Sequence, residues 1–149
     1  LDNYMYVNSI HLIDYYNLLC RGKLIKIKNI KNWIDREKNI YTCYLYFSSG
    51  DLGIYRSVWN MPGPWSVKVY FNNGYFKLAP LEKIFFRKND SKLDKIISIN
   101  YKDDKQFKPG LKLQTVEFLK SLKNNKNNLP GLVTSHKLMN LIHKIYRNK

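Results

Sequence analysis

His11, Asp14 and Tyr15 stand at i, i+3 and i+4 where a helical pattern begins, which puts all three on one helix face. An imidazole in the first turn of a helix feels the positive end of the backbone dipole, which disfavours its charged form. A carboxylate one turn on favours that form, and the competition can poise a histidine near neutral pH for general acid–base work. His11 is therefore the candidate proton carrier and Asp14 its orienting partner; a structural histidine on an ordinary helix surface is the competing reading. A second constellation is Trp59-Asn60-Met61-Pro62-Gly63-Pro64-Trp65. Tryptophan faces stack on sugar rings or wall a pocket, and an asparagine can bond hydroxyls, so Trp59, Asn60 and Trp65 are candidate substrate contacts. The alternative is a corner holding two core tryptophans.

Other chemistry is poorly supplied. His136 and His143 share a helix face but stand on the order of 10 Å apart along its axis, too far for one metal ion. Cys20 and Cys43 have no C-x-x-C or Cys/His spacing and read as reduced thiols, so no metal site is expected. Neither G-x-G-x-x-G nor G-x-x-x-x-G-K-[ST] occurs, nor a nucleophile elbow, nor H-E-x-x-H. Without backbone amides presented at a helix N-terminus, the chain offers no cofactor-binding residues and is expected to be catalytically silent alone.

The elements that must position these residues follow from periodicity. Asn8 to Arg21 reads as a helix capped by Asn8 or Ser9, with Gly22 just past its end. Lys23 to Ile30 alternates, with Ile25 and Ile27 against Lys26 and Lys28. A turn over Asp35 to Asn39, a strand from Ile40 to Phe47, a turn from Ser48 to Gly53 and a strand from Ile54 to Asn60 come next. Trp65 to Phe71 and Tyr75 to Leu78 flank Asn72-Asn73-Gly74, a hairpin signal. Ile84 to Arg87 resumes as an edge after Pro80, and a short strand is expected around Ile96 to Ile99. Helices close the chain, from Gly110 to Lys123 and from a Thr134 or Ser135 cap onward. The order implies an α+β class: a largely antiparallel open sheet, its main strands in one layer, with the helices packed on one face. Residues 1–149 read as a single domain.

Of 149 residues, 26 are Lys or Arg and 11 are Asp or Glu, a net charge of +15. Such a surplus points to nucleic acid, an anionic membrane or a polyanionic substrate. The lysines, however, are spread from Lys23 to Lys149, and Arg, the residue of bidentate base readout, is scarce. That argues against specific nucleic-acid recognition. Lys68 and Tyr70 do share a strand face by alternation, which keeps a stacking platform open as a reading. No apolar run approaches the roughly 20 residues of a membrane span, and no signal-peptide pattern opens the chain. A cytoplasmic protein with no membrane partner is expected. Leu1 in place of Met suggests a piece of something longer.

Ser9-Ile10-His11-Leu12-Ile13-Asp14 resembles the H-x-x-D helix start of the C-terminal half of Gfo/Idh/MocA oxidoreductases, in particular members acting on nucleotide sugars and surface-polysaccharide precursors. Ser57 to Val67 is similar to that family's W-N-S-P-G-P-W-S-V corner, and Pro80-Leu81-Glu82 to a P-L-E after its hairpin. Phe107-Lys108-Pro109-Gly110 with Gln114 and Phe118 resembles the helix that closes the substrate pocket, and Leu132 to Tyr146 the final helix. One departure is Val7, where many members carry an acidic residue four before the histidine.

The resemblance implies a substrate-side domain whose nucleotide-binding Rossmann half lies outside this chain. It implies NAD or NADP as cofactor of the whole protein, a sugar or nucleotide sugar as substrate, and Lys108 and Gln114 as further sugar contacts. It also implies that His11 sits near the reacting carbon. Tyr44, Tyr46 and Tyr70 would form an apolar sheet face that a second subunit covers, giving a homo-oligomer. Two other classes stay open: a basic nucleic-acid-binding module, and a non-catalytic dimerisation domain.

Overall fold

A computed structural model of the chain describes residues 5–31, 40–58, 62, 65–99, 102–124 and 128–147. The chain divides into two compact units, one of Leu1–Trp65 with His136–Lys149 and the other of Ser66–Ser135.

In the first unit α1 (Ile10–Leu19) continues a π-helical turn over Met5–Ser9, and β1 (Leu24–Lys31), β2 (Ile40–Phe47) and β3 (Leu52–Val58) form an antiparallel sheet with β2 central. The alternation of β2 builds the core. Tyr41, Cys43, Leu45 and Phe47 are buried on one face, while Tyr44 and Tyr46 are half-buried on the other. The inner face is covered by Ile13 of α1 and by Leu138, Ile142 and Ile145 of α3 (Leu132–Arg147), whose 4- and 3-residue spacing keeps them on one stripe. Each such burial contributes roughly 1.5–3 kcal/mol, which makes this layer the main source of stability. Tyr41 adds a polar lock: its hydroxyl donates to the Ile145 carbonyl and stands 2.6 Å from Asn29 Oδ1. Gly53 of β3 lies under the Tyr16 ring, where a Cβ would come within 2.6 Å of a ring carbon.

In the second unit β4 (Val67–Phe71), β5 (Gly74–Leu78), β6 (Ile84–Lys88) and β7 (Lys95–Ile97) form a sequential antiparallel sheet, followed by a 3-10 turn over Asp103–Lys105 and α2 (Leu111–Asn124). The Asn72–Asn73 hairpin turn is as expected. Gly74 after it has φ +153°, and a Cβ there would stand 2.0 Å from the Arg87 carbonyl oxygen. The rings of Phe71, Phe76 and Phe86 stack on one face, with centroids 5.1 to 6.1 Å apart.

The α+β class and the open antiparallel pairing are as expected. The expectation of one sheet is corrected: among the described residues β1–β3 and β4–β7 pair as separate sheets. The sequence between β3 and β4 carries Pro62 and Pro64, and a residue without an amide hydrogen cannot extend a ladder. Tyr70 consequently belongs to a different sheet from Tyr44 and Tyr46. In β1 a register shift between Leu24 and Lys26 breaks the alternation, so that Ile25 is 67% exposed while Ile27 packs inward. Ser9 makes no side-chain cap, because the π-helical turn continues the helix past it. Thr134 and Ser135 lie inside α3 rather than at its cap, and the Ser135 amide donates to the Gly131 carbonyl at 3.0 Å. Pro130-Gly131 sets the start earlier than the hydroxyl residues suggested.

Candidate functional site

His11 is the second residue of α1 and is exposed to solvent. Because the helix begins at least as early as Met5, His11 lies beyond its first turn, and the dipole argument for it weakens accordingly. Its ring instead faces the indole of Trp65, with centroids 6.0 Å apart and planes tilted by 36°. Trp65 immediately precedes β4 by two residues and is 42% exposed, so both rings present surface to solvent at one place. Asp14 accepts a hydrogen bond from Asn17 Nδ2 at 3.2 Å, and among the described residues none joins it to His11. Val7, in the π-helical turn, is 70% exposed.

The same unit holds a hydroxyl cluster that sequence reasoning missed. Tyr146 and Tyr55 join hydroxyl to hydroxyl at 2.9 Å, with the Ser9 and Ser57 side chains hydrogen-bonded to Tyr146. The Tyr146 and Tyr41 rings are 4.7 Å apart. Burial first, and then the neighbouring Tyr55, push the Tyr146 phenol well above its ordinary range, so it remains a neutral donor. Ser9 is 6% exposed and sits two residues before His11, so the cluster anchors the turn that presents the histidine. The signal for it was the spacing of Ser57 and Tyr55 on one strand face; the approach of Tyr146, 91 residues on, was not readable locally.

The other candidates are dispersed or undescribed. Trp59 and Asn60 lie outside the described residues. Lys108 and Gln114 belong to the second unit, both exposed: the Lys108 carbonyl accepts from the Leu111 amide at 3.0 Å and the Gln114 amide donates to the Gly110 carbonyl at 2.9 Å. Of the surface histidines, His143 Nδ1 is 3.3 Å from the Tyr6 hydroxyl. Among the described residues no three His, Cys, Asp or Glu side chains stand close enough to hold a metal ion. Cys43 is buried, which pushes its thiol up to about 12, and Cys20 is half-buried; both are free.

The outer face of the second sheet gathers cations and rings. Lys68 Nζ lies 4.0 Å from the Tyr75 centroid and 4.7 Å from that of Tyr70, and Arg87 lies 5.4 Å from Tyr75. Asp94 ties the group together, accepting from Arg87 Nε at 2.6 Å and from the Tyr75 hydroxyl at 2.7 Å. Lysine and tyrosine do share one face, as the alternation of β4 required.

At the start of α2 the backbone does not present the open amides of a dinucleotide phosphate cradle. Gly110, the glycine directly before α2, donates its amide to Asp104 Oδ1 at 3.0 Å, so a carboxylate already holds that position. Among the described residues no helix is long and apolar enough to cross a membrane.

No family model matches the chain, and no curated protein matches it in sequence. Solved structures that match its fold include two oxidoreductases. UDP-N-acetylglucosamine 3-dehydrogenase from Acidithiobacillus ferrooxidans aligns at TM-score 0.69 and 11% identity, over 92% of this chain and 44% of its own. A Desulfitobacterium hafniense protein assigned as an NADPH-dependent oxidoreductase aligns at TM-score 0.69 and 14% identity, over 95% of this chain and 45% of its own. The chain thus spans a little under half the length of each, and at these identities the likeness is one of fold. It has the α+β fold that the resemblance to C-terminal halves of Gfo/Idh/MocA oxidoreductases implied.

Proposed function

We propose that the chain is the substrate-side domain of an NAD(P)-dependent oxidoreductase acting on a sugar or nucleotide sugar, of which UDP-N-acetylglucosamine, named for one fold neighbour, is the type. The observation that carries this reading is the His11–Trp65 pair: an exposed imidazole against a partly exposed indole, 6.0 Å apart, in a fold shared with oxidoreductases. An indole face suits the apolar face of a pyranose, and an imidazole beside it can take or return the hydroxyl proton while the ring is held. Hydride chemistry belongs in this reading to a nucleotide-binding half outside the chain, as the resemblance implies and in agreement with a chain that spans under half the length of each fold neighbour. Asp14 acts on His11 only through the common helix face, Trp59 and Asn60 complete the sugar contacts, and Lys108 and Gln114 serve the same substrate.

The same reading includes assembly. Tyr44 and Tyr46 are half-buried on the outer face of the first sheet, where Leu52 is 51% and Ile54 58% exposed. A second copy of the chain covering that face in a two-fold arrangement would bury these residues. The test of the site is a fluorescence titration with UDP-N-acetylglucosamine. A saturable change in the parent that is lost in Trp65→Phe and weakened in His11→Ala supports it. An unchanged response in both variants refutes it.

A second reading, a platform for single-stranded nucleic acid, is favoured by the shared face of Lys68, Tyr70, Tyr75 and Arg87. Against it, Lys68 already covers both tyrosine rings and Arg87 is bound to Asp94.

A further inference from the structure

The first unit holds a cleft of about 460 Å³ on the side of α1 away from His11. Its α1 residues are Tyr16, Asn17 and Cys20, and at 3.6 residues per turn these face roughly opposite the His11 stripe. The floor is apolar, made by Leu24, Leu45, Phe47 and Leu141. The rim is not: Lys23 stands at the entry to β1, and Lys137, Asn140 and Lys144 line one stripe of α3 at i, i+3 and i+7.

The charge balance here is one-sided. Among the described residues Arg21 pairs with Asp51, Arg87 with Asp94, Lys112 with Asp103 and Lys120 with Glu117, and none of these carboxylates lines the cleft. Among the described residues no carboxylate pairs with Lys23, Lys137 or Lys144, and no Asp or Glu lines the cleft. The carboxyl end of α1 brings about half a negative charge, against three full positive ones. Tyr16 adds a half-buried hydroxyl without a hydrogen-bond partner among the described residues. The volume falls within the range of small-molecule sites, which pair an apolar lining with a few polar groups that fix orientation.

We propose that this cleft binds a small phosphate-bearing molecule with an apolar or aromatic body. The phosphates lie against Lys23, Lys137 and Lys144, the body against the half-buried Leu24 and Leu141, and Asn140 and Tyr16 supply neutral donors. The site is separate from the His11–Trp65 pair and stands or falls without it.

The test uses ADP as probe on the full chain, followed by amide-resolved NMR. Saturable shifts at Gly22–Leu24 and Lys137–Lys144, with none from adenosine, are expected. The double substitution Lys137→Glu/Lys144→Glu should weaken ADP binding by about tenfold or more, because two charge-assisted contacts become repulsive. Lys137→Arg/Lys144→Arg should retain it. The control Lys83→Glu/Lys92→Glu makes the same change in net charge on exposed residues of the second unit and should bind like the parent. The proposal is overturned if the control weakens binding as much as the cleft variant, if the shifts fall on other residues, or if millimolar ADP produces none.

Discussion

Among the described residues ten hydrophobic side chains of the first unit are buried, from Met5 to Ile145, whereas in the second unit only Gly74 is. The first unit encloses β2 between two helices and an outer sheet face. The second leaves Phe76 at 36%, Phe118 at 51% and Leu122 at 64% exposure and ties its strands by ladder bonds, ring stacks and cation–π contacts. The difference teaches where chemistry can be held. A proton carrier needs a fixed backbone, and His11 stands two residues from Ser9, which the hydroxyl cluster around Tyr146 anchors to the core. The second unit instead offers surfaces.

The largest effect should come from the core of the first unit. Ile142→Ala and Leu45→Ala, at fully buried positions, are expected to cost about 2–5 kcal/mol in urea unfolding. Phe118→Ala in α2 should stay within about 0.5 kcal/mol. Comparable losses would erase the distinction between the units. Next comes Gly53→Ala, expected to cost about 1–3 kcal/mol because its methyl group meets the Tyr16 ring. Gly131→Ala, with no atom within 4 Å, should be near neutral.

Assembly sharpens the contrast in a different way. Light scattering should return an oligomer of the 17.8 kDa chain, and Ile54→Lys should convert it to monomer. A parent that is monomeric at high concentration would remove the covered sheet face from the account. On the second unit, oligonucleotide binding by this +15 chain should fall steeply with salt and be unaffected by Tyr70→Ala. A loss of binding in Tyr70→Ala would revive the stacking platform.

The smallest effect is a pH dependence. Hydrogen bonds from the Arg21 side chain, and then from its amide, hold the Asp51 carboxyl well below the usual carboxylate range. A depressed folded pKa stabilises fully above the unfolded value, about 3.9, and that stabilisation is lost as pH falls through the lower folded value. Asp51→Asn should therefore melt closer to the parent at pH 2 than at pH 6. A gap that widens on acidification would reverse the sign.

Much of this fold was legible because its patterns are local. The alternation of Ile40 to Phe47, the Asn72-Asn73-Gly74 hairpin and the stripe of Leu138, Ile142 and Ile145 each needed only neighbouring residues. Two features misled for physical reasons. A one-residue register shift turned Ile25 outward although its alternation with Lys26 was regular, and the π-helical turn before Ile10 extended the helix past the hydroxyl and amide residues that looked like caps. Of the site, the Trp65 side chain could be named but not its partner, because His11 reaches it across 54 positions of sequence. The cleft was hidden for the same reason: Lys137, Asn140 and Lys144 form a visible polar stripe, but only the fold brings Lys23 to it.

The central claim is that this chain supplies the sugar side of an oxidoreductase site and not the nucleotide-cofactor side. Parallel amide-resolved titrations with UDP-N-acetylglucosamine and NADH test it most directly. Shifts are expected at Ser9–Leu12 and at the Trp65 indole with the sugar nucleotide and none there with NADH below about 1 mM, or roughly 4 kcal/mol, while shifts of either ligand at Lys137–Lys144 report the separate cleft. Micromolar NADH binding with shifts outside the cleft, or a sugar nucleotide that leaves His11 and Trp65 untouched, would contradict it.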